Sequence, residues 1–220
     1  MPQYRPYLPQ KSEKRWVLDN LDGIGNLVKL GEDFSFKFYK NFDVSKIKQY
    51  IDNYSDEWLL DTSRQDTHDS HKYTNAYFII EHRSDWKYGD VYQTEFICKD
   101  FKLWELIEPI VKDLEFFVDG KMGKVTLIKL LDNKNVLPHR DYGDYLGFVR
   151  RFHIPIVTNK DVFFGIETTL QHMAVGECWE INNSKIHFVK NNSNETRIHL
   201  LIDIMPNSII NSKGVNYESN

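Results

Sequence analysis

The second half of the chain contains seven short segments of strand-like composition with no helical pattern between them. Each segment is rich in β-branched or aromatic residues, and clusters of Asn, Gly, Asp and Lys separate it from the next. Strands that follow one another without intervening helices argue against a doubly wound α/β fold and favour a β-sandwich or jelly roll. The segments are Lys124–Leu131, Arg150–Val157, Asp161–Phe164, Thr168–Met173, Glu177–Ile181, Ile186–Val189 and Thr196–Ile204.

Two helices are predicted before these strands. Apolar residues recur at helical spacing in Asp43–Tyr54 and again in Leu103–Phe117. Pro109 lies inside the second segment, so that helix either begins near the proline or is kinked by it. Both helices are expected to pack on the outer face of the β structure.

The chain is expected to form a single domain over residues 1–220, mainly β with flanking helices. Residues 1–120 are predicted to be a helical or mixed part packed on the barrel, and residues 121–205 the jelly-roll core. Residues 206–220 are polar, contain few core candidates, and are predicted to be a loose tail.

Composition and charge exclude several classes of protein. With 41% hydrophobic and 14% aromatic residues, the chain can bury a sizeable core and is not a disordered protein. The formal net charge of −4 gives no electrostatic reason to expect a nucleic-acid partner. Apolar runs such as Tyr77–Ile80 are far shorter than the roughly 20 residues that span a bilayer, so no membrane segment is expected.

The N-terminal residues and the two cysteines indicate the cellular compartment in which the protein is expected. The start of the sequence is polar, contains several prolines and has no apolar stretch of the kind found in signal peptides. Cys98 and Cys178 are eighty positions apart and form no CxxC pair, which excludes a cysteine zinc site and a disulfide framework. The expected location is therefore the cytoplasm.

Polar side chains two positions apart mark three short strand pieces. Residues at i and i+2 of a strand point to the same face, while the residues between them point to the other. In the later two pieces that other face is apolar. On a surface sheet this would be ordinary alternation, whereas in a small jelly roll it would place the polar pairs in the barrel interior. Buried ionisable groups are costly unless a metal or ligand pairs with them. The pairs are His139 with Asp141, Arg151 with His153, and Arg197 with His199.

The first pair is one part of a candidate metal site. His139 and Asp141, together with His187 on a later strand, supply two imidazoles and one carboxylate. This is the ligand set of the facial triad, which leaves iron positions open for a co-substrate and oxygen. A His-x-Asp pair is common by chance. The alternative interpretation is therefore that His139 and Asp141 lie in a solvated loop and that His187 is an unrelated core histidine.

Arg197 follows His187 by ten residues and is the candidate for binding an anion. A buried guanidinium needs an anionic partner, and its planar geometry suits a carboxylate. A dicarboxylic 2-oxo acid would chelate iron at one end and meet Arg197 at the other. The alternative is a surface salt bridge from Arg197 to Glu195 or Glu177.

Five blocks between His139 and Asp203 resemble the aspartyl/asparaginyl β-hydroxylase and proline hydroxylase family of iron(II)- and 2-oxoglutarate-dependent dioxygenases. Their order and spacing agree over about 65 residues, whereas the first 120 residues carry no such resemblance. The blocks are His139-Arg140-Asp141, Arg151–Ile156 (RFHIPI), Gly176–Ser184 (GECWEINNS), His187–Asn191 (HFVKN) and Arg197–Asp203 (RIHLLID).

The resemblance implies a double-stranded β-helix, a cupin-like jelly roll, with iron held by His139, Asp141 and His187. It also implies that Arg197 binds the distal carboxylate of 2-oxoglutarate and that Arg151 and His153 contact the same co-substrate. Some eukaryotic relatives have glycine where this chain has Asp141. The carboxylate present here also fills the position where halogenating relatives bind chloride, so hydroxylation is favoured.

The predicted function is hydroxylation of an amino-acid carbon, in a free amino acid or a peptidyl Asp, Asn or Pro side chain. Iron(II), 2-oxoglutarate and O2 are the implied cofactors, and succinate and CO2 the implied products. Two alternatives stay open: a cupin-like metalloenzyme that does not use 2-oxoglutarate, and a non-catalytic jelly-roll binding module. His68 and His71 have metal-like spacing, but their polar surroundings favour a solvated loop.

Overall fold

The computed structural model describes residues 34–53, 65–66, 69–82, 96–141 and 144–212. Within these ranges the helices are α1 (Ser45–Asp52), α2 (Phe101–Val118), α3 (Asp144–Phe148) and α4 (Asn207–Ser212), with a 3₁₀ turn at Asp69–His71. The strands are β1 (Phe36–Asn41), β2 (Thr74–His82), β3 (Phe96–Cys98), β4 (Gly120–Leu130), β5 (Asn135–His139), β6 (Arg150–Val157), β7 (Val162–Ile166), β8 (Thr169–Gln171), β9 (Glu177–Ile181), β10 (His187–Asn191) and β11 (Arg197–Pro206).

The described strands form two antiparallel sheets. The larger has seven strands in the order β1-β9-β6-β11-β4-β2-β3, and the smaller has four in the order β5-β10-β7-β8. Strands β4 to β11 alternate between the two sheets, except that β7 and β8 are neighbours in the smaller one, and this is the arrangement of a jelly roll. The predicted fold class, mainly β with a jelly-roll core and flanking helices, is confirmed.

The two sheets pack face to face around an apolar interior. Buried side chains from both sheets meet there, among them Leu130 and Ile181 from the larger sheet and Phe164 and Val189 from the smaller. All four are at most 4% exposed. Burial of this kind supplies most of the free energy that holds the sheets together.

The opposite face of the larger sheet is covered by helices α1 and α2. Ile47 of α1 and Ile107 of α2 pack in one buried cluster with Phe152 of β6 and Leu200 of β11. The apolar positions of β6 and β11 therefore face the helices, and their polar positions face the space between the sheets. Both predicted helices lie on the outer face of the barrel, as the sequence indicated.

Helix α2 passes through Pro109 rather than starting there. The helix begins after Asp100, whose side chain accepts a hydrogen bond of 3.0 Å from the Leu103 backbone N–H. Such a cap satisfies one of the free N–H groups of the first turn. The tyrosine hydroxyls of Tyr50 and Tyr77 also donate to the Asp100 carboxylate, which ties the start of α2 to α1 and β2.

Several elements differ from the sequence-based expectation. Strands β1, β2 and β3 precede residue 120 but belong to the larger sheet, so this part contributes strands to the barrel wall as well as helices. Strand β5 is not among the seven predicted segments, and Asp141, which was expected to share a short strand piece with His139, follows that strand instead. Within the expected tail over residues 206–220, a short helix forms over Asn207–Ser212 and buries Ile209 to 2% exposure, while residues 213–220 lie outside the described residues. No helix of the described ranges has the length and hydropathy needed to cross a bilayer.

Candidate metal centre

Two histidines and one aspartate meet at one end of the smaller sheet. His139 ends β5 and His187 begins β10, and the two are directly paired across these antiparallel strands. Asp141 follows β5 by two residues. The potential ligand atoms of all three residues lie within 4.8 Å of one another. Distances from Asp141 Oδ1 to Nε2 of His139 and of His187 are 3.9 Å and 3.8 Å.

Hydrogen bonds to backbone carbonyls orient both imidazole rings. Nδ1 of His139 lies 2.8 Å from the Leu137 carbonyl oxygen, and Nδ1 of His187 lies 3.0 Å from that of Lys185. Because a carbonyl oxygen only accepts, both Nδ1 atoms donate, which leaves Nε2 of each ring as the nitrogen that can offer a lone pair to a metal. Burial lowers the pKa of His187, which keeps that ring neutral.

The triad therefore presents two nitrogen lone pairs and one carboxylate oxygen to a common point. With both Nδ1 atoms donating to carbonyls, the three groups have no proton to share with one another, and a divalent cation would supply the positive charge that all three could bind. Nitrogen and oxygen donors of this kind suit iron(II) and similar ions. The residues present fit the metal that the sequence predicted, and their assignment as ligands remains a prediction.

The second oxygen of Asp141 is held by the protein. Oδ2 accepts a hydrogen bond of 2.6 Å from Arg151 Nη1 and one of 3.2 Å from Asn183 Nδ2. Burial alone would raise the pKa of Asp141, but Arg151 and the two histidines hold it well below its usual range. Asp141 is consequently an ionised carboxylate. Its Oδ2 accepts hydrogen bonds from Arg151 and Asn183, and its Oδ1 faces the two imidazoles.

Arg197 lies in the interior, on the same face of β11 as His199. Its side chain is 2% exposed, its Nη2 lies 2.7 Å from His199 Nδ1, and its Nε has no hydrogen-bond partner among the described residues. Burial lowers the pKa of Arg197 to about 9. The alternative of a surface salt bridge to Glu195 or Glu177 is wrong, because Arg197 is buried and its neighbour is an imidazole.

Unsatisfied polar atoms surround Arg197. Within the described part of the chain, both ring nitrogens of His153 and Nε2 of His199 are buried without a hydrogen-bond partner. Buried polar atoms in native proteins are satisfied in the great majority of cases, so such a cluster indicates a place for a polar ligand. His153 and His199 are 6% and 2% exposed.

One phenyl ring connects Arg197 with the triad. The Phe164 ring centroid lies 5.9 Å from Arg197 Cζ and 6.0 Å from the ring centroid of His187, with which it stacks. The His153 ring meets Phe164 edge-on at 5.1 Å. The guanidinium of Arg197, the His153 ring and the His187 ring thus all lie against the same phenyl ring.

The structure brings together all six residues that the sequence singled out, but Arg151 has additional partners. Its guanidinium is paired with Asp203 and Asp141, so any contact with a co-substrate would come in addition to these. His71, expected in a solvated loop, is half-buried and meets the His139 ring edge-on at 4.8 Å. His68 lies outside the described residues.

Asn183 and Asp203 were not predicted as site residues. Asn183 lies in the segment 182–186 between β9 and β10, and Asp203 lies two positions beyond Leu201 on the interior face of β11. Periodicity provided a signal for Asp203, because it continues the alternation that begins with Arg197 and His199. No spacing rule pointed to Asn183.

The buried histidines predict a loss of stability in mild acid. Burial, followed by the charge of Arg197, lowers the pKa of both His153 and His199 well below the ordinary 6.5. Below about pH 6.5 the unfolded chain therefore binds more protons than the folded one, and the stability present above that pH is lost as the pH falls. Each histidine contributes a slope of up to about 1.4 kcal/mol per pH unit.

Urea denaturation of the metal-free protein between about pH 7.5 and 5.5 measures this effect. The free energy of unfolding should decrease as the pH falls across that range. His153→Gln should make this pH dependence less steep by about the contribution of one histidine. A slope unchanged by His153→Gln would show that this ring is not held neutral by burial.

A jelly roll that gathers two histidines and one aspartate at one end of the barrel has the architecture of non-haem iron(II) oxygenases. Residues 46–206, more than half of the chain, match the family described as aspartyl/asparaginyl beta-hydroxylase. The chain belongs to that family, and the predicted family membership is confirmed.

One curated relative is the L-proline cis-4-hydroxylase of Rhizobium meliloti (strain 1021). It is 29% identical over 77 residues, which are 35% of this chain and 28% of that protein. The match thus spans under a third of the relative's length.

Two solved structures show the same fold. The viral collagen prolyl hydroxylase of Paramecium bursaria Chlorella virus-1, solved as a 2OG complex, is 7% identical with a TM-score of 0.51, covering 79% of this chain and 97% of that one. A prolyl hydroxylase from Trichoplax adhaerens, in complex with a hypoxia inducible factor peptide fragment, is 12% identical with a TM-score of 0.51. That match covers 94% of this chain and 99% of the other.

Proposed function

We propose that this chain hydroxylates a carbon atom of an amino acid, free or within a peptide, with iron(II), 2-oxoglutarate and O2. One oxygen atom of O2 enters the substrate and the other enters succinate, and 2-oxoglutarate loses CO2. His139, Asp141 and His187 hold the iron, and Arg197 binds the distal carboxylate of 2-oxoglutarate. Bound iron together with the oxo acid supplies the oxygen activation that no amino-acid side chain provides.

The observation that carries this proposal is the buried, incompletely paired guanidinium of Arg197 in the same interior region as the triad. Arg197 Nε lacks a partner among the described residues, and one phenyl ring separates the guanidinium from His187. A buried cation without a carboxylate is costly in the ligand-free protein. A dicarboxylate that reaches the metal at one end would satisfy Arg197 at the other.

The interior side chains have distinct tasks in this proposal. Arg197, held by His199, binds and orients the distal carboxylate through charge-assisted hydrogen bonds. His153, whose ring nitrogens lack partners, provides a donor or acceptor to the polar end of the same ligand. Phe164 packs along the ligand and helps to exclude water from the region. Fixed groups of this kind keep the target carbon and the reacting centre in a productive arrangement.

The substrate class follows from the family and its relatives. The curated relative is named for L-proline, and one structural neighbour was solved with a peptide fragment. We therefore propose free proline, aspartate and asparagine, and short peptides that contain them, as the substrates to test first. The non-catalytic alternative does not account for an interior that collects a metal-binding triad, a guanidinium and unsatisfied imidazoles.

A screen for succinate release tests this function. The iron-loaded protein is incubated with 2-oxoglutarate, O2 and each candidate substrate, and succinate and substrate mass are followed by mass spectrometry. We expect at least one candidate to raise succinate release above the substrate-free rate and to gain one oxygen atom. Equal release with and without every candidate would contradict the amino-acid assignment.

A further inference from the structure

Asp203 is a buried carboxylate that faces the interior of the barrel and is 2% exposed. It receives two parallel hydrogen bonds from Arg151: Nε to Oδ1 at 2.8 Å and Nη2 to Oδ2 at 2.9 Å. This two-pronged pairing is the strongest ion-pair geometry available to a guanidinium. It fixes the plane and direction of the Arg151 side chain.

The third nitrogen of the same guanidinium reaches Asp141. Arg151 Nη1 donates to Asp141 Oδ2 at 2.6 Å, and this is the oxygen that points away from the two histidines. Asn183 donates to the same oxygen, and its backbone carbonyl accepts from the Asp141 N–H at 3.2 Å. Oδ1 is left to face His139 and His187.

Asp203 is itself held from a second side. The Tyr145 hydroxyl donates a hydrogen bond to Asp203 and accepts one of 2.7 Å from the Lys124 backbone N–H. The hydroxyl approaches so closely to Gly123 that a Cβ there would lie 2.1 Å from it. Tyr145, Asp203, Arg151 and Asp141 therefore form a continuous chain of hydrogen bonds in the barrel interior.

We propose that Asp203 is a positioning residue of the metal site, which acts through Arg151 to present a single oxygen of Asp141 to the cation. This inference rests on the proposed role of Asp141 as a ligand. Asp203 holds the Arg151 fork so that only Nη1 reaches Asp141. Without Asp203, the Arg151 guanidinium is free to bind both carboxylate oxygens of Asp141 in a two-pronged pair. That pairing would compete with the metal for Oδ1.

Charge supports the same role. Arg151 places a positive charge beside a cation site, and Asp203 balances it in a region from which water is largely excluded. With Asp203 present, two carboxylates face one guanidinium and the group carries a net charge of −1. Replacing Asp203 by asparagine makes that group neutral, which weakens its attraction for a divalent cation.

Nickel(II) binding tests the proposal without any need for turnover. Nickel is chosen because imidazole sites bind it more tightly than manganese, which keeps the affinities of weakened variants measurable. Asp203→Asn is nearly isosteric, and we expect it to lower nickel affinity by about 10- to 100-fold, the range typical of residues that orient a metal ligand. Isothermal titration calorimetry of the metal-free chain gives the affinities.

The matched control is a second arginine–carboxylate pair, whose arginine lies next to Arg151 on strand β6. Arg150 precedes Arg151, points to the opposite face of β6, and pairs with Glu180, which is 6% exposed. Glu180→Gln removes a buried carboxylate from an arginine in the same way but far from the triad. It should leave nickel affinity within about twofold of the wild type, because it has no connection to Asp141.

A double-mutant cycle separates positioning from a general structural effect. If Asp203 acts through Asp141, the loss of nickel affinity caused by Asp203→Asn should be clearly smaller in an Asp141→Ala background, where only the change of charge still acts on the cation. An equal loss in both backgrounds, or no loss in the wild-type background, would overturn the proposal. A wild-type chain that binds no nickel would instead refute the metal site itself, which is part of the proposed function.

Tyr145→Phe provides a milder variant if Asp203→Asn does not fold. It removes the hydroxyl that holds Asp203 and keeps the ring in place. Loss of one hydrogen bond predicts a decrease in nickel affinity of about two- to tenfold. Unchanged affinity in Tyr145→Phe together with an unfolded Asp203→Asn would count against the positioning role, since the chain of hydrogen bonds would then serve folding alone.

Discussion

Replacing His187 by alanine is expected to abolish metal binding and, with it, the release of succinate from 2-oxoglutarate. His187 is one of three converging ligands, is 5% exposed, and has its ring fixed by the Lys185 carbonyl. Residues that only orient a ligand typically contribute 10- to 100-fold to metal affinity. Loss of the ligand itself should therefore cost about 100-fold or more, as measured by nickel or manganese titration.

His172→Ala is the matched control for this experiment. His172 is half-buried and, like His187, has its Nδ1 beside a backbone carbonyl, that of Val162 at 3.0 Å, but it is not one of the three converging residues. Its replacement should leave metal affinity unchanged. Wild-type metal affinity in a folded His187→Ala protein would exclude the triad as the metal site.

The second large effect concerns Arg197. In the manganese-loaded protein without turnover, Arg197→Ala should weaken 2-oxoglutarate binding by about 10- to 100-fold or more. A hydrogen bond to a charged group contributes roughly 1.5–3 kcal/mol, and each 1.4 kcal/mol is a factor of about ten. Metal affinity should be nearly unchanged, because Arg197 lies beyond His153 and Phe164 and offers the metal no ligand atom.

Arg197→Lys refines this test. An ammonium keeps the positive charge but cannot make the planar two-pronged contact with a carboxylate, so only part of the affinity should return. Unaltered 2-oxoglutarate affinity in a folded, metal-binding Arg197→Ala protein would contradict the role of Arg197 in binding the oxo acid. A metal-loaded wild-type protein that binds no 2-oxoglutarate would instead favour the cupin-like alternative, a metalloenzyme that does not use the oxo acid.

The interior arrangement was largely predictable from strand alternation. In β11 the residues Ile198 and Leu200 face the helices, and Arg197 and His199 face the space between the sheets. The sequence shows this pattern directly, because side chains of a strand alternate between its faces. The same rule placed Arg151 and His153 in the interior of β6.

The partners of these residues were less predictable. Arg151 pairs with Asp203 across 52 positions and with Asp141 across ten, and a sequence pattern does not show which carboxylate a buried guanidinium will meet. Register decides it: Arg151 and Asp203 are directly opposite each other in the β6–β11 pair. That register depends on the whole sheet and on a bulge at Ile198 and His199.

Strand β1 was not predicted for a different reason. Its sequence, FKFYKN, mixes lysines with aromatic residues at one edge of the larger sheet. Edge strands tolerate charges that a central strand would not, so their pattern resembles that of a polar surface segment. The polar composition of the C-terminal residues likewise predicts a loose tail, whereas buried Ile209 packs a short helix against the barrel.

The most direct test of the account is an anaerobic titration of 2-oxoglutarate into the iron(II)-loaded protein, followed by visible absorption. The account predicts a charge-transfer band that grows to saturation at one 2-oxoglutarate per protein. The band reports the oxo acid bound directly to iron, and it should be absent from His187→Ala. A metal-loaded protein that develops no such band, with 2-oxoglutarate in large excess, would contradict the claim that one interior site holds both iron and the oxo acid.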